Sequence, residues 1–213
     1  MIGPYYVQSM KIWESDKGIT AMCSAVAKLD LRSFDLFTGG ARRDWPFLAT
    51  FAIIFDTPCI FIEKDGSSLA GESLNLKGAK SIAHVADLNN EGASLRLWSS
   101  YVQKAGGKIS DAFFLIDRLE DGVAVAKELG IKTYSIVDLD DEAWKLLLGE
   151  GKISQEVYNS LVEYWKNRWE WGKNNLLEHP EGLSKLPGEK KEKILDTYNT
   201  KYPGFKQEVL TKI

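Results

Sequence analysis

Cysteine and histidine are scarce in this chain of 213 residues, with two of each. Cys23 and Cys59 are too few for a disulfide framework and too far apart for a redox or zinc motif. They are expected to be reduced, buried and to act as small hydrophobes. His84 and His179 leave little from which to build a histidine metal site or a Ser-His-Asp triad. His84 lies inside an apolar run and reads as a satisfied core histidine; His179 precedes Pro180 and reads as a turn residue. No apolar run reaches the length of a membrane-spanning helix, and the opening MIGPYYVQSMK lacks the apolar centre of a signal peptide, so a cytoplasmic protein is expected. Charge of one sign is lacking too: 27 Lys and Arg face 30 Asp and Glu, for a net charge of -3. An interspersed surface of that kind argues against nucleic acid or an anionic membrane as the main partner.

What the chain does have is apolar residues, 44% of the total, with 11% aromatic. That is enough for one substantial core, so one α/β domain with an appendage is expected. Strands and helices alternate along residues 34 to 137. Phe34 to Thr38 reads as a buried strand closed by Gly39-Gly40. Asp44 is placed to cap, and Pro46 to enter, a helix over residues 45 to 56. Cys59 to Ile62 and Ser81 to Ala86 read as strands, and Ala93 to Ala105 as a helix ended by Gly106-Gly107. Ala112 to Ile116 is a strand, Gly122 to Leu129 a helix stopped by Gly130, and Thr133 to Val137 a strand. The rhythm predicts a mostly parallel central sheet with helices on both faces and ligands at the carboxyl ends of the strands.

From Asp140 onward the texture changes to Trp, Lys and Glu. Trp144, Trp165, Trp169 and Trp171 are expected to pack this helical tail onto the core or onto a second subunit. A base-stacking platform would need more basic residues around them. The final GEKKEKILDTYNTKYPGF reads as a solvated helix and a loose terminus.

Three loops at strand ends carry chemistry. TGGARRDW, residues 38 to 45, combines Gly39 and Gly40, which permit close backbone approach, with the forked donors of Arg42 and Arg43. HVADLNNEGAS, residues 84 to 94, puts Asp87 at a strand end and the backbone of Asn90, Glu91, Gly92, Ala93 and Ser94 at a helix start, a phosphate-cradle plan. IDRLEDG, residues 116 to 122, sets Asp117, Arg118 and Glu120 after a third strand.

In these segments the sequence resembles the type I phosphoribosyltransferases, and among them the orotate phosphoribosyltransferases, from Pro4 to about Val137. GPYYV, residues 3 to 7, is similar to the Ser-Pro-Tyr-Tyr segment of that family's hood. FDLFTGGARRDWPFLATFA is similar to its strand, pyrophosphate loop and helix, with Arg43 where a pyrophosphate-contacting lysine is usual. TPCIFIEKDG resembles the strand ending in an Arg-Lys pair, with Glu63 for the arginine and Lys64 retained. VADLNNEGAS aligns with the motif that binds phosphoribosyl pyrophosphate (PRPP), and IDRLEDG with a segment whose arginine holds orotate. The departures are specific. Ala86 replaces the motif's first acid, and Asn90 and Ala93 replace hydroxyl residues. Glu91 adds a negative charge near the phosphate site and is expected to turn outward, toward Arg96. The loop KDGSSLAGESLNLKG matches the catalytic loop in length without its second lysine and histidine.

The resemblance implies a phosphoribosyltransferase-like α/β domain over residues 1 to 140, with 1 to 30 as a partial hood and 141 to 213 as a helical extension. It implies transfer of phosphoribose from PRPP to an anionic base such as orotate, as in pyrimidine biosynthesis, with Mg²⁺ accompanying PRPP and a homodimer as the assembly. Asp87 and Lys64 would be catalytic. Arg42, Arg43, Gly39 and Gly40 would hold the pyrophosphate, Asn90 to Ser94 the 5'-phosphate, and Arg118 the base. A second reading stands beside it: a non-catalytic binder of PRPP or a nucleotide on the same fold, acting in regulation.

Overall fold

The computed structural model describes residues 3–212. By internal contacts they fall into two units, one from Gln8 to Ala143, the other formed by the stretch up to Val7 together with the chain from Trp144 onward.

The first unit opens with a 3-10 turn, Ser9–Glu14, and the helix α1, Asp16–Ala27, whose first turn is closed by the Ser15 side chain accepting from the Gly18 N–H. Then follow β1 Leu36–Gly40, α2 Trp45–Ile54, β2 Cys59–Ile62, β3 Ile82–Asn89, α3 Ala93–Lys104, β4 Ile109–Asp117, α4 Asp121–Glu128 and β5 Lys132–Asp138. The five strands form one sheet in the order β2-β1-β3-β4-β5, and every pairing is parallel. Phe37, Phe47, Leu48, Phe51, Val85 and Phe113 build the core on one face, beneath α1 and α2. Ile82, Leu95, Trp98, Val102, Phe114 and Ala126 build it on the other, beneath α3 and α4. Burial on both faces is why the central strands read as unbroken apolar runs instead of alternating. Cys23 and Cys59 are free thiols, half-buried against the first of these cores.

The boundaries move in an informative way. β1 does not stop before its glycines; Gly39 and Gly40 pair with Phe61 and Ile62. β3 continues three residues past Ala86, with Leu88 and Asn89 paired to Ile116 and Asp117. Asp44 makes no side-chain cap on α2, and its carboxylate is used elsewhere, as described below.

The second unit contains most of α5 (Asp141–Gly149), then α6 Gln155–Lys166, α7 Arg168–Glu178, α8 Glu181–Ser184, α9 Gly188–Lys201 and α10 Phe205–Leu210. Ser154 and Asn167 cap α6 and α7 through their side-chain oxygens. The terminus is not loose. Leu195 and Tyr198 of α9 and Phe205 and Val209 of α10 are almost fully buried with Leu176 and Leu183 in a core of their own. Trp169 meets Tyr198 edge to face, and Trp171 meets Tyr164, so these aromatics consolidate the helical unit itself.

Candidate functional site

β1 leads to β2 on one side and β3 leads to β4 on the other, so the connections diverge between β1 and β3. Divergence of that kind leaves a crevice at the carboxyl ends of the strands. A cavity of about 340 Å³ opens there, lined by the loop after β1, by β3, by the start of α3, and by Trp98 and Phe114.

The loop from β3 to α3 is held by backbone bonds. The Gly122 N–H donates to the Asn90 carbonyl at 2.7 Å, and the Arg118 N–H to the Asn89 carbonyl at 3.0 Å. Gly92 has φ of 76°, and a Cβ on it would lie 2.6 Å from Val125 Cβ, so both its conformation and its space demand glycine. With the loop fixed, the first N–H groups of α3 have no acceptor within the helix and face the loop's concave side. The positive end of the helix dipole adds to them, which suits an anion such as a phosphate. Asn90, Glu91, Gly92, Ala93 and Ser94 all line the cavity. Glu91 is exposed at its rim, and the Arg96 guanidinium pairs with Glu128 on α4.

Asp87 lies on β3 and is 9% exposed. The Ser9 hydroxyl donates to its Oδ2 at 2.5 Å, and Arg43 Nε lies 3.7 Å from the same oxygen. Asp44 reaches the same point from the loop after β1. Its Oδ1 accepts from the Asp87 N–H at 2.9 Å and its Oδ2 from the Gly40 N–H at 3.2 Å. Burial holds the Asp44 carboxyl well above the usual carboxylate range, and the negative charge of Asp87 pushes it further the same way.

His84 lies on the same strand, 1% exposed, with burial pushing its pKa down to about 3, so the ring is neutral. Its Nδ1 is 3.1 Å from the Thr38 hydroxyl, which itself donates to the Ala83 carbonyl at 3.4 Å. The other ring nitrogen, Nε2, has no partner among the described residues. The core position expected of His84 is correct; its full satisfaction is not.

The cavity gathers Asp87, Arg43 and Asn90 to Ser94 from the residues singled out in the sequence. Lys64, Arg42, Gly39, Gly40 and Arg118 are not part of its lining. Lys64 is exposed beyond β2. Gly39 and Gly40 lie beneath side chains, Leu48 over the first and Trp98 over the second. Arg118 is paired with Glu120 at 2.8 Å, and both side chains are largely buried. Asp44, Ser9 and His84 were missed as site residues. Ser9 and Asp44 reach Asp87 across 78 and 43 residues, which no local pattern announces, whereas His84, three residues before Asp87, was read only as a core residue. Among the described residues no group of three or more His, Cys, Asp or Glu side chains is placed to hold a metal ion. No helix among them is long and apolar enough to cross a membrane.

No family model matches the chain. It is 26% identical over 166 residues to an orotate phosphoribosyltransferase of Saccharolobus solfataricus, covering 76% of this chain and 84% of the relative. Its sequence is thus similar to the orotate phosphoribosyltransferases. Among solved structures, the orotate phosphoribosyltransferase of Aeropyrum pernix shares the fold with a TM-score of 0.56 at 16% identity, over 70% of this chain and 84% of that one. The Mycobacterium tuberculosis enzyme in complex with 5-phospho-alpha-D-ribosyl 1-diphosphate does so with a TM-score of 0.53 at 17% identity, over 63% and 82%. The strand, loop and helix carrying VADLNNEGAS run from β3 into α3.

Proposed function

We propose that this cleft binds PRPP and transfers its phosphoribosyl group to an anionic base such as orotate. The observation that carries the reading is the joint placement of an anion cradle at the start of α3 and the buried carboxylate of Asp87 in one cavity. The two match a ligand with phosphate at one end and hydroxyls on its ring. In the reaction the C1–O bond to pyrophosphate breaks as a C1–N bond to the base forms. Positive charge then develops on C1 and the ring oxygen, where a nearby carboxylate lowers the barrier. Asp87 takes that role, and the N–H groups of Asn90 to Ser94 take the 5'-phosphate.

Arg43 is half-exposed beside Asp87 and is the cation for the pyrophosphate. Lys64 and Arg42 are exposed on the loops after β2 and β1, outside the lining. Arg118 holds an anionic base only if Glu120 shares it. Mg²⁺ would enter with PRPP, neutralising the leaving pyrophosphate. The described residues hold no three-ligand cluster of their own, so the oxygens of the pyrophosphate would complete the coordination shell.

The alternative, a non-catalytic binder of PRPP or a nucleotide, draws on Ala86 and on the distance of Lys64 and Arg118 from the lining. Calorimetry with PRPP, with and without Mg²⁺, followed by pyrophosphate release on adding orotate, separates the readings. Mg²⁺-dependent binding and release of pyrophosphate support the transferase. Binding without release supports the regulatory reading, and no binding defeats both.

A further inference from the structure

Ala86 stands where the resemblance places an acid, so β3 brings one carboxylate to the cavity where two are usual. A second buried carboxyl group nevertheless lines the cavity beside Asp87, because Asp44 arrives from the loop after β1. Its position is fixed by two backbone donors: Gly40, at the end of β1, and Asp87, on β3. Each carboxylate oxygen has two acceptor sites, and these two bonds use one on each, leaving the others for further donors.

We propose that Asp44 is the second acid of the sugar-binding site, holding a ribose hydroxyl in the place of the carboxylate that Ala86 removes. The proposal rests on the reading of the cleft as a phosphoribosyl site. An independent feature points to a ligand in the same cavity. His84, almost fully buried, lines it and carries an unpartnered Nε2, and the Asn90 side-chain oxygen is also buried and unpartnered. They lie in the same lining as Asp44 and Asp87. Buried polar atoms without partners cost free energy unless a ligand completes them. The interior of this cavity thus carries unmet hydrogen-bonding groups, while its mouth, at the start of α3, supplies donors. A sugar phosphate meets both needs, with the phosphate at the mouth and hydroxyls inward. Inorganic pyrophosphate meets only the first.

The exchange of strands has a consequence for selectivity. An acid on β3 moves with the phosphate loop, whereas Asp44 moves with the loop that carries Arg43. Sugar binding therefore couples the two loops across the crevice through the Gly40–Asp44–Asp87 chain of bonds.

The test measures affinities of the full chain for PRPP with Mg²⁺, ribose 5-phosphate and inorganic pyrophosphate by calorimetry. Asp44→Ala is expected to weaken ribose 5-phosphate and PRPP by about fivefold to tenfold, the value of a hydrogen bond, and to leave pyrophosphate nearly unchanged. Adding Ala86→Asp to Asp44→Ala is expected to recover most of that loss, an outcome that a merely structural role for Asp44 does not produce. If Asp44→Ala does not fold, Asp44→Asn keeps the shape and one oxygen, and must show the same selective loss and rescue. Unchanged affinity for ribose 5-phosphate, or an equal loss for all three probes without rescue, overturns the proposal while leaving the phosphoribosyl reading intact. Wild-type protein that binds neither PRPP nor ribose 5-phosphate overturns that reading and this proposal with it.

Discussion

Arg118 and Glu120 form an ion pair of 2.8 Å in which the side chains are only 11% and 2% exposed. Removing one partner of such a pair strands the other charge in a dry site. Arg118→Ala is therefore expected to cost about 3–5 kcal/mol, whereas replacing both residues, as in Arg118→Met with Glu120→Leu, costs far less. Urea unfolding of the three proteins checks this. If Arg118 also serves an anionic base, Glu120→Gln, which releases the arginine from its competitor, should tighten orotate binding. A Glu120→Gln protein that binds orotate no better than wild type removes Arg118 from the base site.

Glu91 sits at the mouth of the cavity with its side chain exposed. A carboxylate about 5 Å from a phosphate charge costs about 3 kcal/mol at an effective dielectric near 20, but only about 0.8 kcal/mol in water. Exposure places Glu91 nearer the second figure. Glu91→Thr is thus expected to tighten binding of ribose 5-phosphate by about fivefold at low salt, with the gain shrinking as ionic strength rises. A gain insensitive to salt would mean that the carboxylate acts by blocking space.

Gly40 closes β1 directly beneath the Trp98 ring, and a Cβ there would fall inside that ring. The strand is held in place there, since Gly40 pairs with Ile62 and its N–H donates to the Asp44 side chain. Gly40→Ala is expected to lower stability by about 1–3 kcal/mol through overpacking. Adding Trp98→Leu, which opens the space, should restore part of it. Thermal unfolding of the single and double variants reads this coupling directly.

The sheet was legible because its central strands are buried on both faces. Runs such as Ile82 to Ala86 have no polar face to confuse them, and the glycines ending the helices mark the turns. The ends of β3 and β4 were hidden, because Asp87, Asn89 and Asp117 look like loop residues in sequence. They remain in the ladder because the Asn89 amide donates to the Asp117 carboxylate at 2.9 Å. The core of the last helices was hidden for the opposite reason. Leu195 and Tyr198 are isolated among Lys and Glu, and their partners Phe205 and Val209 come from another helix. At the site, the cradle could be read because its parts are contiguous, whereas Asp44 could not, because its partner Asp87 is 43 residues away.

His84 and Asp44 tilt stability with pH in opposite directions, and the two effects separate by mutation. His84 has its pKa lowered by burial to about 3 from the ordinary 6.5, so the unfolded chain binds its proton more readily. Its contribution is complete above pH 6.5 and is lost as pH falls toward 3, amounting to about 2 kcal/mol at pH 5. Asp44 has its pKa raised above the ordinary 3.8, first by burial and then by Asp87, so here the folded chain holds the proton more tightly. That contribution is complete below pH 3.8 and fades as pH rises through the folded value. Relative to wild type, His84→Gln should gain stability as pH is lowered from 7 to 5, and Asp44→Asn should gain as pH is raised from 4 to 8. The comparison uses slopes, so a constant cost of either substitution does not enter it. Denaturant midpoints across that range check both. Parallel curves for Asp44→Asn and wild type would mean that Asp44 carries its charge in the fold as readily as in water.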